Sequence, residues 1–303
     1  MKRSHLIFLL VMNFFWAAVY CAYKVIGQDW VGGSITGAIV TLRFGLAALC
    51  LLCIWPWLRG PAPQGRNLAI TCGLGVVVCV LGQRLQVYGN ELGTAANSAV
   101  LMAFEPVVTS VAAAALLREH IGYRRWAGFA LGLSGVGLLH GVWRTDFQWA
   151  GLTASLIFVS SFLCEAAYSV VGKPIVLRTN PIKMLALSLL AATVVNCLID
   201  GSTTLTVARS LSPKAWALLL AMAIVCTAIG YSAWFIIIRE CPVNLVALTV
   251  FSQSLFGVAL AALWLREQLH WGQLAGALVI LAGLVLGLSR QVKSGKVSTA
   301  TST

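Results

Sequence analysis

Charge is what this 303-residue sequence has least of: Asp and Glu together number 9, Lys and Arg 21, and the charged share is 10%. So thin a polar complement excludes a water-soluble domain. A chain that is 59% hydrophobic, with a mean hydropathy of +0.89, would leave wide apolar patches against water. Histidine is equally scarce. His5, His120, His140 and His270 fall near the ends of apolar runs or between them, and none sits in a dyad. No phosphate-binding loop, zinc motif, nucleophile elbow or paired-carboxylate constellation is present, which argues against an ATP-driven pump and an intramembrane hydrolase. No catalytic residue, cofactor or metal is expected. The 9 cysteines lie almost wholly inside apolar runs, so Cys50-x-x-Cys53 reads as thiols packed in a core rather than as half of a metal site.

What the chain has in abundance is long apolar runs. Ten can be drawn, at about 5–26, 34–55, 67–88, 94–116, 124–142, 150–172, 181–199, 213–238, 243–265 and 271–290. Each approaches or exceeds the roughly 20 residues that cross a bilayer as a helix, and all are too long for membrane strands. The expected fold is therefore an all-α membrane protein of ten transmembrane helices. Pro56, Arg59-Gly60-Pro61, Pro63, Asn180-Pro181 and Ser212-Pro213 punctuate the runs as breakers should. The first run contains Asn13, Trp16 and Lys24 and has no small-residue cleavage site, so it reads as a retained helix with a cleaved signal peptide as the alternative. Residues 291–303 are polar and read as a short disordered cytoplasmic tail.

The runs repeat. AAALLREHIGYRRWAGFALGLSG from Ala113 returns as AALWLREQLHWGQLAGALVILAG from Ala261, and at one offset of 148 residues Leu117, Arg118, Glu119, Ala127, Gly128 and Gly135 fall on Leu265, Arg266, Glu267, Ala275, Gly276 and Gly283. A duplication follows, with one five-helix copy over 1–147 and a second over 148–290. Most Lys and Arg, including Lys2, Arg3, Arg59, Arg118, Arg124, Arg125, Arg178 and Arg239, fall on one side if the N-terminus is cytoplasmic. That bias accounts for the net charge of +12 without nucleic acid, and places both termini in the cytoplasm. An odd number of helices per copy then inserts the second copy upside down, the inverted-repeat architecture whose binding site lies near the midplane.

The residues FFWAAVYCAYK (14–24), TLRFGLAAL (41–49), the block 99–139 and its repeat LWLREQLHWGQLAGALVILAGLVL (263–286) make the chain similar to the EamA family of the drug/metabolite transporter superfamily. On overall likeness it most resembles the branch that exports aromatic amino acids and certain cationic drugs. The resemblance covers essentially the whole chain and implies a basket of ten helices, with helices 1–4 and 6–9 around a central cavity and helices 5 and 10 outside. It implies a permease of a bacterial inner membrane that exports aromatic amino acids. Its partners would be that small-molecule substrate and the lipid bilayer. The oligomeric state stays open, a monomer included.

Ionisable groups deep in a bilayer are costly and mark function by default. Glu105 and Arg43 sit about 14 to 17 Å into their helices, at matching depth. Either they pair and lock helix to helix, or Glu105 lacks a cation and serves as a proton carrier. Pro106 should free the carbonyl of Met102. Gln253 takes the place of Glu105 in the second copy, and Gln83 that of Tyr231. Glu165 lies on one face with Lys173, two turns farther toward the cytoplasm. Lys24 and Lys173 read equally as snorkelling anchors and as carboxylate-binding groups. Trp16, Tyr20, Tyr168, Tyr231 and Trp234 supply aromatic surface for a planar substrate. Trp30, Trp55, Trp57, Trp126, Trp143, Trp149, Trp216 and Trp271 lie near helix ends and read as interfacial belt. The candidate cavity residues are thus Trp16, Tyr20, Gln83, Glu105, Glu165, Tyr168, Tyr231, Trp234 and Gln253, with Lys24, Arg43, Pro106 and Lys173 as structural or gating residues.

Overall fold

The computed structural model describes residues 1–27, 35–92, 101–146, 151–265 and 271–289, and the side chains of Tyr20 and Lys24 fall outside that description. So do Trp30, Trp149, the turn carrying Arg266 and Glu267, and the tail. Among the described residues every regular element is helical. In chain order these are α1 (Arg3–Gly27), α2 (Thr36–Cys53), α3 (Gly65–Val76), α4 (Gln83–Leu92), α5 (Glu105–Leu117), α6 (Tyr123–Leu139), α7 (Leu152–Val176), α8 (Pro181–Ser210), α9 (Pro213–Ala221), α10 (Gly230–Glu240), α11 (Val243–Ala247), α12 (Phe251–Leu265) and α13 (Trp271–Leu288). Among the described residues six helical stretches are long and apolar enough to cross a bilayer: Thr36–Cys53, Gly65–Gln86, Leu152–Val176, Pro181–Ser210, Pro213–Glu240 and Trp271–Leu288. Shorter apolar helices cover Arg3–Val19, Met102–Leu117 and Val243–Gly257.

The helix expected to stop near residue 199 runs on to Ser210. At 30 residues it spans about 45 Å, beyond the hydrocarbon thickness of about 30 Å. The extension is polar, and at its start Asp200 pairs with Arg84. Its start fits the sequence: Pro181 takes the first turn, and the Asn180 side chain accepts from the N–H groups of Ile182 (2.8 Å) and Lys183 (3.1 Å).

Two departures from α-geometry sit at corresponding places in the two halves of the chain. Val77–Gly82 joins α3 to α4 as a π-helical segment, and Met222–Ile229 joins α9 to α10 in the same way. A wide turn leaves carbonyls poorly used by the helix itself, and neighbouring helices supply the missing donors. Asn196 Nδ2 donates to Cys79 O at 3.1 Å, and Trp16 Nε1 donates to Cys226 O at 2.8 Å. Short 3₁₀ segments, Met102–Phe104 before α5 and Leu248–Val250 before α12, form a second such pair. The first corrects an expectation. The Met102 carbonyl that Pro106 was to free accepts the Glu105 N–H, because the chain tightens to an i→i+3 pattern there.

Helices pack mainly on helices from the other half of the chain: α2 and α3 on α8, α4 and α5 on α7, α6 on α13, α1 on α12 and α5 on α11. The α6–α13 contact is built from glycines. A Cβ on Gly128 would come within 2.9 Å of Gly283 O, one on Gly283 within 2.9 Å of Gly128 O, and one on Gly276 within 2.6 Å of Gly135 O. Numbers rise on one helix as they fall on the other, so the two run antiparallel. Small residues allow that approach where burying apolar surface supplies no driving force between helices in lipid.

Gly75 makes an equally close contact between α3 and α8, where an added Cβ would stand 2.0 Å from Ser188 O, whereas Gly73 two residues away meets nothing within 4 Å. Gly75→Ala is expected to cost about 2 kcal/mol, since backbone cannot move aside as a side chain would. Gly73→Ala should be neutral or gain up to about 1 kcal/mol through helix propensity. Thermal unfolding of the two variants in one detergent separates the cases; equal midpoints would mean that this packing is wrong.

Candidate functional site

The helix irregularities converge on one cavity. Directly after the π-segments come Gln83 and Gln86 on α4, and Tyr231, Trp234 and Phe235 on α10; Glu105 follows the 3₁₀ turn before α5, and Gln253 the one before α12. With Trp16 and Val19 on α1, Arg43 on α2, Met102, Val250, and Glu165, Tyr168 and Ser169 on α7, they surround a cavity of about 110 Å³. Every residue predicted for the cavity lines it except Tyr20, whose side chain lies outside the described residues. Arg43, expected to be structural, is a lining residue as well.

Sequence reasoning left Val19, Gln86, Met102, Ser169, Phe235 and Val250 out of the candidate set. Gln86 and Ser169 carried a signal, since each occupies a repeat-related position one turn from a residue already chosen. Val19, Phe235 and Val250 carried none, because an apolar residue on a membrane helix reads the same toward lipid, core or cavity. The basket implied by resemblance also needs one correction. Helix α8 contributes no lining residue; it packs behind α2 and α3, with Ser188 Oγ 2.6 Å from the Tyr168 hydroxyl.

The aromatic side chains form a connected wall. Trp16 lies 6.1 Å from Trp234 and 6.0 Å from Tyr231, centroid to centroid; Tyr231 lies 6.3 Å from Tyr168, and Tyr168 4.9 Å from Phe235. Polar ends fix the rings: Trp16 Nε1 on Cys226 O, Trp234 Nε1 on Ser169 Oγ at 3.1 Å, and Tyr168 on Ser188. Tilted and edge-on pairs held this way are preorganised for a planar guest.

Among the described residues, charge in the cavity comes from Glu105, Glu165 and Arg43. The Arg43–Glu105 ion pair is not among the ion pairs of the described residues. Arg43 Nε instead donates to Thr227 Oγ1 at 2.8 Å, in the second π-segment, and the guanidinium interacts electrostatically with Glu165. Glu165 stands with Gln83 in the cavity wall. Glu105 shares the cavity with a second carboxylate, Glu165. Gln253 Nε2 donates to Asn13 Oδ1 at 3.0 Å, and Asn13 Nδ2 to Thr249 O at 2.9 Å, so a buried asparagine sets the glutamine's orientation.

Lys173 stands apart from this site. It pairs with Glu119 (2.8 Å) and donates to Cys241 O (2.9 Å). On the same rim Lys2 donates to Glu240 at 2.7 Å, and that bond holds the Lys2 ammonium above its ordinary pKa. The eight described cysteines are free thiols, Cys50 and Cys53 included. Among the described residues no group of three His, Cys, Asp or Glu is placed to hold a metal.

Comparison with known proteins agrees with this architecture. The EamA-like transporter family matches the chain twice, over residues 3–140 and 152–289. A probable terminal-alkyne amino-acid exporter of Streptantibioticus cattleyicolor is 24% identical over 297 residues, covering 94% of each chain. An uncharacterized transporter of Archaeoglobus fulgidus is 24% identical over 293 residues, covering 96% of this chain and 99% of its own. A chloroplastic WAT1-related protein of Arabidopsis thaliana is 25% identical over 291 residues, covering 90% of this chain and 66% of its own. A solved crystal structure shares the fold with a TM-score of 0.76 at 15% identity, covering 94% of this chain and 96% of that one.

Proposed function

Because the chain belongs to the EamA-like transporter family, we propose that it is a secondary exporter of aromatic amino acids working by alternating access across a bacterial inner membrane. The observation that carries the substrate is the wall of Trp16, Trp234, Tyr231, Tyr168 and Phe235 beside a carboxylate, Glu105, in one cavity. An aromatic side chain stacks on the rings while its ammonium meets the carboxylate. The likeness to an amino-acid exporter supports the class. Ten helices in two copies, 1–147 and 148–290, with the second copy inverted and both termini cytoplasmic beside the tail 291–303, give the moving parts. The inversion is supported by reciprocity: residue 128 meets 283 and residue 135 meets 276, pairs that a two-fold axis in the membrane plane interchanges at an offset of 148. In proteoliposomes the purified protein is expected to move labelled Trp, Phe and Tyr; a protein that moves none of them refutes the substrate.

A second reading, proton-coupled export of organic cations, rests on the charges of the described lining residues, two carboxylates, Glu105 and Glu165, against one guanidinium, Arg43. A cavity with surplus negative charge exchanges a proton for a cation readily. Glu105→Gln is then expected to abolish uptake driven by an imposed pH gradient while leaving substrate counterflow intact. Unchanged pH-driven uptake in that variant would discard this reading and leave the first.

A further inference from the structure

The repeated loop motif contains a glutamate that the cavity does not use. Glu119 lies in the turn between α5 and α6 with a side chain only 11% exposed, and it gathers donors from the other half of the chain. Lys173 Nζ on α7 approaches Oε1 at 2.8 Å, the N–H groups of Val243 and Asn244 donate at 2.9 and 3.1 Å, and Asn244 Nδ2 donates at 2.8 Å. Arg125, six residues on, reaches Asn244 Oδ1, and Lys173 also ties down Cys241 O. One carboxylate thus clamps α7 to the start of the helical run 243–265.

The position of this clamp gives it a task. Helix α7 carries Glu165 and Ser169 in the cavity wall and Lys173 eight residues below Glu165, about 12 Å along the helix. Helix α10 carries Tyr231 and Trp234 in the wall and ends just before Cys241, about 10 Å below Trp234. Val250 and Gln253 line the cavity, and Asn244 lies roughly 9 to 13 Å below them. The elements that wall the cavity therefore meet again at Glu119, on the side of the termini.

We infer that Glu119 is the latch that shuts the cytoplasmic floor of the transport cavity, gripping Lys173 and the Val243–Asn244 backbone in the outward-facing state and releasing them when the protein opens inward. The inference rests on the alternating-access reading above for its direction. Its chemistry is sound for a reversible lock: charge-assisted bonds hold firmly in a water-poor site and exchange for water once the floor parts.

The test uses the full-length chain with its native cysteines and a reporter, Ser169→Cys, in the cavity wall. A membrane-impermeant maleimide is applied to inside-out and right-side-out vesicles, and modification at position 169 is read by site-resolved mass spectrometry. Glu119→Gln is expected to raise labelling from the cytoplasmic face at least about tenfold and to lower it from the outer face, since losing the charge of the latch shifts the two-state equilibrium by that order. General loosening of the fold would raise both. Lys173→Gln, which keeps the backbone bonds to Glu119, should shift labelling the same way by less, and decides the matter should Glu119→Gln fail to fold. Unchanged cytoplasmic labelling in whichever of the two variants folds, or a rise from both faces, overturns the latch. No substrate is needed, so a failure of aromatic amino-acid transport in proteoliposomes leaves this result standing, and the reverse.

Discussion

Arg84→Ala is expected to cost about 3 to 5 kcal/mol of stability, and Arg84→Met combined with Asp200→Leu to recover most of that loss. Arg84 pairs with Asp200 and donates to Asn196 Oδ1 at 3.0 Å. Each charge stands 19 residues from the start of its helical rod, at 65 and 181, about 28 Å along and so close to the far edge of the hydrocarbon core. Asp200 is short and packed against α2, where a Cβ on Gly37 would fall 2.6 Å from its oxygen, so once orphaned it has less reach toward water than a long side chain. An orphaned Arg84 can snorkel, and Asp200→Ala should therefore cost less than Arg84→Ala. Arg84 Nε is buried without a hydrogen-bond partner, so the pair never fully offsets its desolvation and an apolar pair of similar bulk loses little. Denaturation of Arg84→Met, Asp200→Leu and the double variant in one detergent measures the cycle. A double variant as unstable as the sum of the singles would show that this pair is not the coupling.

Trp234→Ala should lower transport efficiency for Trp and Phe by roughly 10- to 100-fold and that for an aliphatic amino acid far less. The indole stands between Trp16 and Ser169, so its removal opens the wall at the centre of the stack. Trp234→Phe keeps a ring and loses only the N–H, and should retain most activity. Flux of paired labelled substrates gives the ratio directly. An equal fall for both substrate types would assign Trp234 to packing rather than to the guest.

Much of this was legible before any coordinate. Helices could be drawn because a membrane helix must be apolar for its whole length, and Pro181 and Pro213 mark starts that the structure keeps. The site residues could be named because polar and ionisable groups inside apolar runs are conspicuous. What stayed hidden depends on tertiary partners. Asp200, in the polar extension of α8 to Ser210, finds its partner Arg84 on a helix of the other half of the chain. The π-segments need Asn196 and Trp16 to satisfy Cys79 and Cys226. Depth alone leaves open whether Arg43 pairs with Glu105, and only the fold shows its Nε on Thr227. Glu119 was visible as a repeated letter; its four donors are spread across residues 173 to 244, which no local pattern connects.

The central claim is that two opposed copies enclose a site reached from each face in turn. Single cysteines placed in the two equivalent turns, at Gly122 and at His270, and challenged with an impermeant thiol reagent in sealed vesicles of known orientation, address it most directly. Labelling of Gly122→Cys only from the cytoplasmic face and of His270→Cys only from the outer face is the predicted result. Labelling of both from one face would contradict the inversion, and with it the alternating route through the cavity.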